Sequence, residues 1–207
     1  MQFDTKRSLE YIRQQTIFLS VSLSMREMTS TLSESIISYI EDIDKHLMIR
    51  SSLQEEHTTS LAILHCAVAD LQMIVSSLAN HARMHERLNP GTDCRKVLLP
   101  DGATPFLRRS GKGIRELFSV LENTVEKLND FIPIDETFGI FRDRIHQSLE
   151  LISVQMETVE KLERQLNSNQ NDASLLKEQI KKTFFEMEAS LDKIYKNNRK
   201  LVISHFL

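Results

Sequence analysis

The chain has 207 residues, room for one large domain or two small ones with a sizeable buried core. A charged fraction of 27% and a net charge of −3 exclude a basic nucleic-acid binder and a wholly disordered chain. Two cysteines, Cys66 and Cys94, give neither a disulfide framework nor a metal-ligand spacing, and the N-terminus lacks the basic, apolar, small-residue order of a signal peptide. The expectation is a soluble intracellular protein, all-α, because its few Gly and Pro crowd into one region.

Residues 1–30 read as an N-terminal amphipathic helical segment carrying Leu9, Ile12, Phe18, Leu19, Val21, Leu23, Met25 and Met28. Such a segment docks as an ordinary first helix with a wide apolar face, or lies on a membrane surface, where Lys6, Arg7, Arg13 and Arg26 face anionic lipid. The stretch Thr16 to Met25 is too short for the roughly twenty apolar residues of a spanning helix. Residues 31–207 read as a helical bundle. Leu32, Ile36, Ile43 and Leu47 form one stripe, and Leu61, Leu64, Val68, Leu71, Val75, Leu78 and Ala82 form a clearer one. No Gly or Pro interrupts the first 89 residues, so the spacing predicts one very long helix or two with a turn near Ser51-Ser52.

Asn89-Pro90-Gly91 stops this run, and residues 90–113 read as a solvated, irregular basic loop holding Arg95, Lys96, Arg108, Arg109 and Lys112. Its Gly111-Lys112-Gly113 is not a phosphate loop: the earlier glycine that motif needs is Phe106 here, and no apolar strand precedes it. Ile114, Phe118, Leu121, Val125, Leu128 and Ile132 then repeat at heptad spacing up to Pro133. Asp135 to Thr137 offers helix-capping chemistry for a restart, as a kinked continuation or a new helix. The next stripe is Phe138, Phe141, Ile145, Leu149, Ile152, Met156, Val159, Leu162 and Leu166.

The polar run Asn167 to Asp172 predicts a chain reversal, followed by a final helix from Ala173 to Leu207, roughly 50 Å long at 1.5 Å per residue. Within it Ile180, Phe184, Met187, Leu191, Ile194, Asn198, Leu201 and His205 alternate four and three apart, an a/d seam expected to meet a partner helix. Asn198 and His205 are polar at seam positions, which selects register or partner number.

Chemistry is sparse. His81 and His85 stand four apart, the spacing of a two-histidine metal clamp, but no further ligands are nominated and a packing histidine explains His85. His146 sits in a segment faintly like a phosphoacceptor helix, with Gln147 where an acid belongs. No Ser-His-Asp or Cys-His arrangement stands out, so the expectation is a protein without catalytic residues, metal, cofactor or small-molecule substrate.

The predicted layout is a long first helix, a long kinked second helix, a short polar turn and a long third helix. Ile40 to Arg50 with Glu55-Glu56 and Leu61, Val159 to Leu166, the polar run, and Leu175 to Ile180 are similar to the corresponding stretches of a BAR domain of the sorting-nexin type. The resemblance covers about Thr31 to Leu207. It implies an elongated antiparallel bundle of three to four long helices, paired as a homo- or heterodimer that senses or shapes curved membranes in endosomal sorting. The protein is then cytoplasmic and peripheral on the endosomal membrane. Lys177, Lys181 and Lys182, just past the expected turn, and Arg108, Arg109 and Lys112 are the residues placed against anionic lipid. The other reading is a helical scaffold or adaptor that binds proteins through its seams.

Overall fold

The computed structural model describes residues 4–109, 111–196 and 198–206, and of Lys112 the backbone alone. Every regular element among them is helical: α1 (Leu9–Ser24), α2 (Ser30–Leu88), α3 (Cys94–Leu98), α4 (Thr104–Leu107), a 3-10 turn (Gly111–Leu117), α5 (Phe118–Phe131), α6 (Thr137–Ile194) and α7 (Arg199–Ile203). The chain forms two compact units, one from residues 1–55 and 163–207, the other from residues 56–162. Both α2 and α6 contribute residues to each.

In the first unit α1 buries Leu9, Ile12, Thr16, Leu19 and Leu23, while α2 supplies Ile36 and Ile43. From α6 come Leu176, Ile180, Phe184, Met187 and Leu191, and the C-terminal segment adds Val202 and Phe206. The Phe184 and Phe206 rings sit 5.9 Å apart. In the second unit the stripe Leu64, Val68, Leu71, Val75, Leu78 and Ala82 packs with Ile114, Leu121, Leu128 and with Phe138, Ile145, Ile152, Met156 and Val159.

Several helix boundaries differ from the expected ones, each for a local reason. A break falls at Met25–Thr29, between the N-terminal segment and the run from Leu32, and none falls at Ser51-Ser52. Thr29, fully buried, donates its hydroxyl to the Leu23 carbonyl at 2.7 Å and so helps to satisfy the C-terminal end of α1. Ser51 and Ser52 lie inside α2, where two serines cost only about half a kcal/mol each against alanine.

The expected reversal at Asn167 to Asp172 does not occur, because α6 runs straight through it. Leu162, Leu166, Asn169, Ala173, Leu176 and Ile180 keep the four-three spacing unbroken. Asn169 fills the seam position, buried, with Nδ2 3.3 Å from Nδ1 of His46. The final helix in turn stops at Ile194, where Lys196 adopts a left-handed φ of 50° and the short α7 follows.

Of the two outcomes expected at Pro133, the chain takes the new helix: Pro133 separates α5 and α6. Asp135 restarts the chain by accepting the Thr137 backbone N–H at 2.9 Å. Residues 90–113 are not a solvated loop. Cys94, Leu98, Leu99 and Phe106 are buried there, Thr124 donates to the Leu98 carbonyl at 2.8 Å, and Gln72 donates to the Phe106 carbonyl at 3.0 Å. The turn at Gly91, with φ of 101°, demands glycine at the end of α2.

Among the described residues α2 is also the one helix long and apolar enough to cross a membrane. It holds an 18-residue window of mean hydropathy 1.7, one third of it buried in the protein. Core helices of water-soluble proteins meet the same criterion.

Candidate functional site

His81 Nε2 lies 2.8 Å from Asp135 Oδ2, and its ring meets Phe138 edge-on at 4.9 Å. His85 is buried against the same phenylalanine at 5.5 Å, with Nδ1 lacking a hydrogen-bond partner. These histidines cap and pack the junction where α6 begins. Cys94 is buried nearby, and burial, with Glu86 and Asp135 adding negative charge, pushes its thiol up to about 11. Among the described residues no three His, Cys, Asp or Glu side chains converge as a metal ion requires. His146 is exposed, 3.4 Å from Glu150 one helical turn on.

The lysines expected beyond a turn sit within α6 instead. Lys177 donates to the Arg7 carbonyl at 2.7 Å, Lys181 reaches Glu178 at 3.4 Å, and Lys182 reaches Glu186 at 3.8 Å. Arg109 pairs with Glu116 at 3.0 Å, Arg108 is exposed, and the Lys112 side chain lies outside the described residues. The three lysines belong to the first unit, and Arg108 and Arg109 to the second.

The seam residues divide. Ile180, Phe184, Met187 and Leu191 are buried in the chain's own first unit, against side chains of α1 and α2. Ile194 and Leu201 are half-buried, and Asn198 is exposed at the start of α7 with no side-chain capping bond. His205 is fully buried, and its ring nitrogens lie 2.8 Å from Ser22 Oγ and 3.0 Å from the Tyr195 hydroxyl. Arg26 completes this group by donating to Tyr195 at 3.1 Å. A polar seam residue was the only trace of it in the sequence.

The surface feature that sequence reasoning missed is the outward side of α1. Opposite its buried stripe, Tyr11, Phe18, Val21 and Met25 are exposed at spacings of seven, three and four, and Met28 in the following turn is exposed too. One face of an α-helix recurs at these intervals. The signal was present as an apolar face too wide for one contact. The cations nearest in sequence are engaged inside the unit: Arg13 with Asp44, Arg26 with Tyr195, Arg7 with Asp4. In the second unit an open groove of about 530 Å³ between α2 and α6 mixes Met73 and Leu151 with Asp70 and Arg144. It concentrates no particular chemistry.

No family model, no curated protein and no solved structure matches the chain.

Proposed function

We propose that this chain is a non-enzymatic helical scaffold or adaptor subunit whose partner is a second copy or a related helical protein. The observation that carries the reading is the exposed apolar row of Tyr11, Phe18 and Val21 on α1 and Met25 at its C-terminal cap. Large apolar side chains exposed in one row along a helix are costly in water and mark a surface that a partner ordinarily covers. Its spacing fits an amphipathic helix laid alongside, read at successive turns. Protein is favoured over anionic lipid because Arg7, Arg13 and Arg26 are already paired within the chain.

The finer architecture belongs with this proposal: an antiparallel helical bundle or coiled coil built on the long helices. Two contacts in the first unit support it. Tyr39 of α2 lies 3.0 Å from Thr183 of α6, while the later His46 meets the earlier Asn169.

The test is light scattering of the purified chain beside a Phe18→Ser/Val21→Ser/Met25→Ser variant. Exposed positions leave the fold intact, so the variant should melt at the parent temperature while its oligomer dissociates. A parent chain that stays monomeric, with the variant retaining every protein that co-purifies, would sink the reading.

A dimer associated with curved endosomal membranes is the second reading, favoured by the apolar window of α2 that is only one-third buried. It predicts salt-sensitive sedimentation with anionic liposomes. Reversing Lys177, Lys181 and Lys182 to Glu should abolish it, and unchanged binding counts against those lysines.

A further inference from the structure

We propose that Arg83, Arg95 and Lys96 form a pocket for a multiply charged phosphate group, in the second unit and distinct from the α1 face. A concavity of about 420 Å³ lies where the last turns of α2 approach α3 and the turn that follows it. Ala79 and Leu99 are buried beneath it, and Arg83, Arg95 and Lys96 line it with no carboxylate among the lining residues. Among the described residues none of the three cations forms an ion pair, in contrast to Arg109, Arg115 and Lys182. Asp93 and Asp101 flank this segment in sequence but neither lines the concavity, and the Glu86 carboxylate accepts the Arg95 backbone N–H at 2.7 Å.

The wall is held in place. Leu99 donates to the Arg95 carbonyl at 2.8 Å, and Gly102, at a φ of 73° that disfavours any side chain, donates to the Leu99 carbonyl at 2.9 Å. Three like charges around one concavity repel each other, and an anion relieves that repulsion. Guanidinium forks match phosphate oxygens two at a time, whereas an ammonium acts as a point charge. The cavity has the volume of a small-ligand site rather than of a single ion, which fits a diphosphate or a phosphorylated headgroup. Both sources share the same chemistry.

This inference is independent of the partner surface, and one experiment separates them. The full chain is titrated calorimetrically with inorganic pyrophosphate at low salt, and sedimented with phosphatidylcholine vesicles with and without a phosphatidylinositol phosphate. Arg83→Gln, Arg95→Gln and Lys96→Gln should each weaken pyrophosphate binding about tenfold or more, the loss of a charge-assisted hydrogen bond. Lys182→Gln and the α1 triple variant should bind as the parent does. Added salt should weaken binding throughout. Pyrophosphate binding without vesicle binding assigns a free anion. Vesicle binding that needs the phosphorylated lipid and is lost in the same three variants assigns a headgroup. Absence of binding to both probes, or binding that the three substitutions leave unchanged in variants of parental melting temperature, overturns the pocket.

Discussion

Ser22 Oγ lies 2.8 Å from Nδ1 of His205, across 183 positions of sequence, and ties the end of the chain to α1. Arg26 donates to the Tyr195 oxygen, so the Tyr195 hydroxyl is left to donate to His205 Nε2 and Nδ1–H to donate to Ser22. That arrangement suits the neutral imidazole. Burial first, and then the Arg26 guanidinium, hold His205 below the usual imidazole value of 6.5, and only the contact with Ser22 pulls the other way. A base whose folded-state affinity for protons is reduced leaves the unfolded chain binding more protons in acid. Its contribution is therefore complete above pH 6.5 and is lost as pH falls below that value. Urea unfolding measured across this range should show stability dropping on acidification, and the drop should shrink in His205→Gln. An unchanged slope in that variant would remove His205 as its source.

Proline distinguishes a turn from a helix interior at the polar run. A reversal at Asn167 to Asp172 would accept it, whereas α6 passes through these residues unbroken. Asn171→Pro removes a backbone donor and clashes with the preceding turn, at a cost of about 3 kcal/mol or more. Circular dichroism should register lost helix and a lowered melting temperature. A variant as stable as the parent would restore the reversal.

The stripes of the second unit were legible in the sequence because Leu64, Val68, Leu71, Val75 and Leu78 recur with a helical period and are all buried. The stop at Asn89-Pro90-Gly91 was legible too, with α2 ending at Leu88, but the other breaks were legible only in part. Asn169 carries a turn-forming residue's local preference, yet its bond to His46 and its place between Leu166 and Ala173 outweigh a few tenths of a kcal/mol of propensity. Met25 to Thr29 contains no Gly or Pro, and the break there depends on a Thr29 hydroxyl that finds the Leu23 carbonyl only once folded. The outward row of α1 was hidden for the opposite reason. Its side chains look the same in sequence as the buried ones beside them. Arg83 lay in a helix and Arg95 and Lys96 in what read as a loop, so only tertiary structure joined them.

The same drift appears in the C-terminal seam, and truncation measures it. Ile180 is fully buried in the first unit, so Ile180→Ala should cost about 2–5 kcal/mol, the transfer term plus the cavity left behind. Asn198 is exposed and makes no capping bond, so Asn198→Ala should change stability by no more than about 0.5 kcal/mol. Comparable losses at both positions would return Asn198 to the seam.

Asp135 is the cap of α6 as well as the partner of His81. Hydrogen bonds from Thr137, and then from His81, hold its carboxyl below the usual 3.8, against an opposing effect of burial. The carboxylate therefore contributes stability above pH 3.8 that disappears as pH falls through its lower folded value. Asp135→Ala should cost about 1 kcal/mol at neutral pH, typical of a lost helix cap. The difference from the parent should vanish in strong acid, and one that persisted there would mean the carboxylate charge is not its cause.

Cysteine chemistry reports on the second unit directly. Cys66 is exposed on α2, whereas Cys94 is fully buried in the core and its thiol is raised to about 11. The thiolate is the reactive form, so burial and the raised value act together to protect Cys94. A maleimide reagent at neutral pH should label one thiol quickly in the native chain, and the Cys66→Ser variant should then label only at the rate of unfolding. Adding urea should release the second thiol at the concentration where the helices of this unit melt. Rapid labelling of Cys94 in the native Cys66→Ser variant would mean that residues 90–113 do not stay packed on α2 and α5, and the cationic pocket would lose its wall with them.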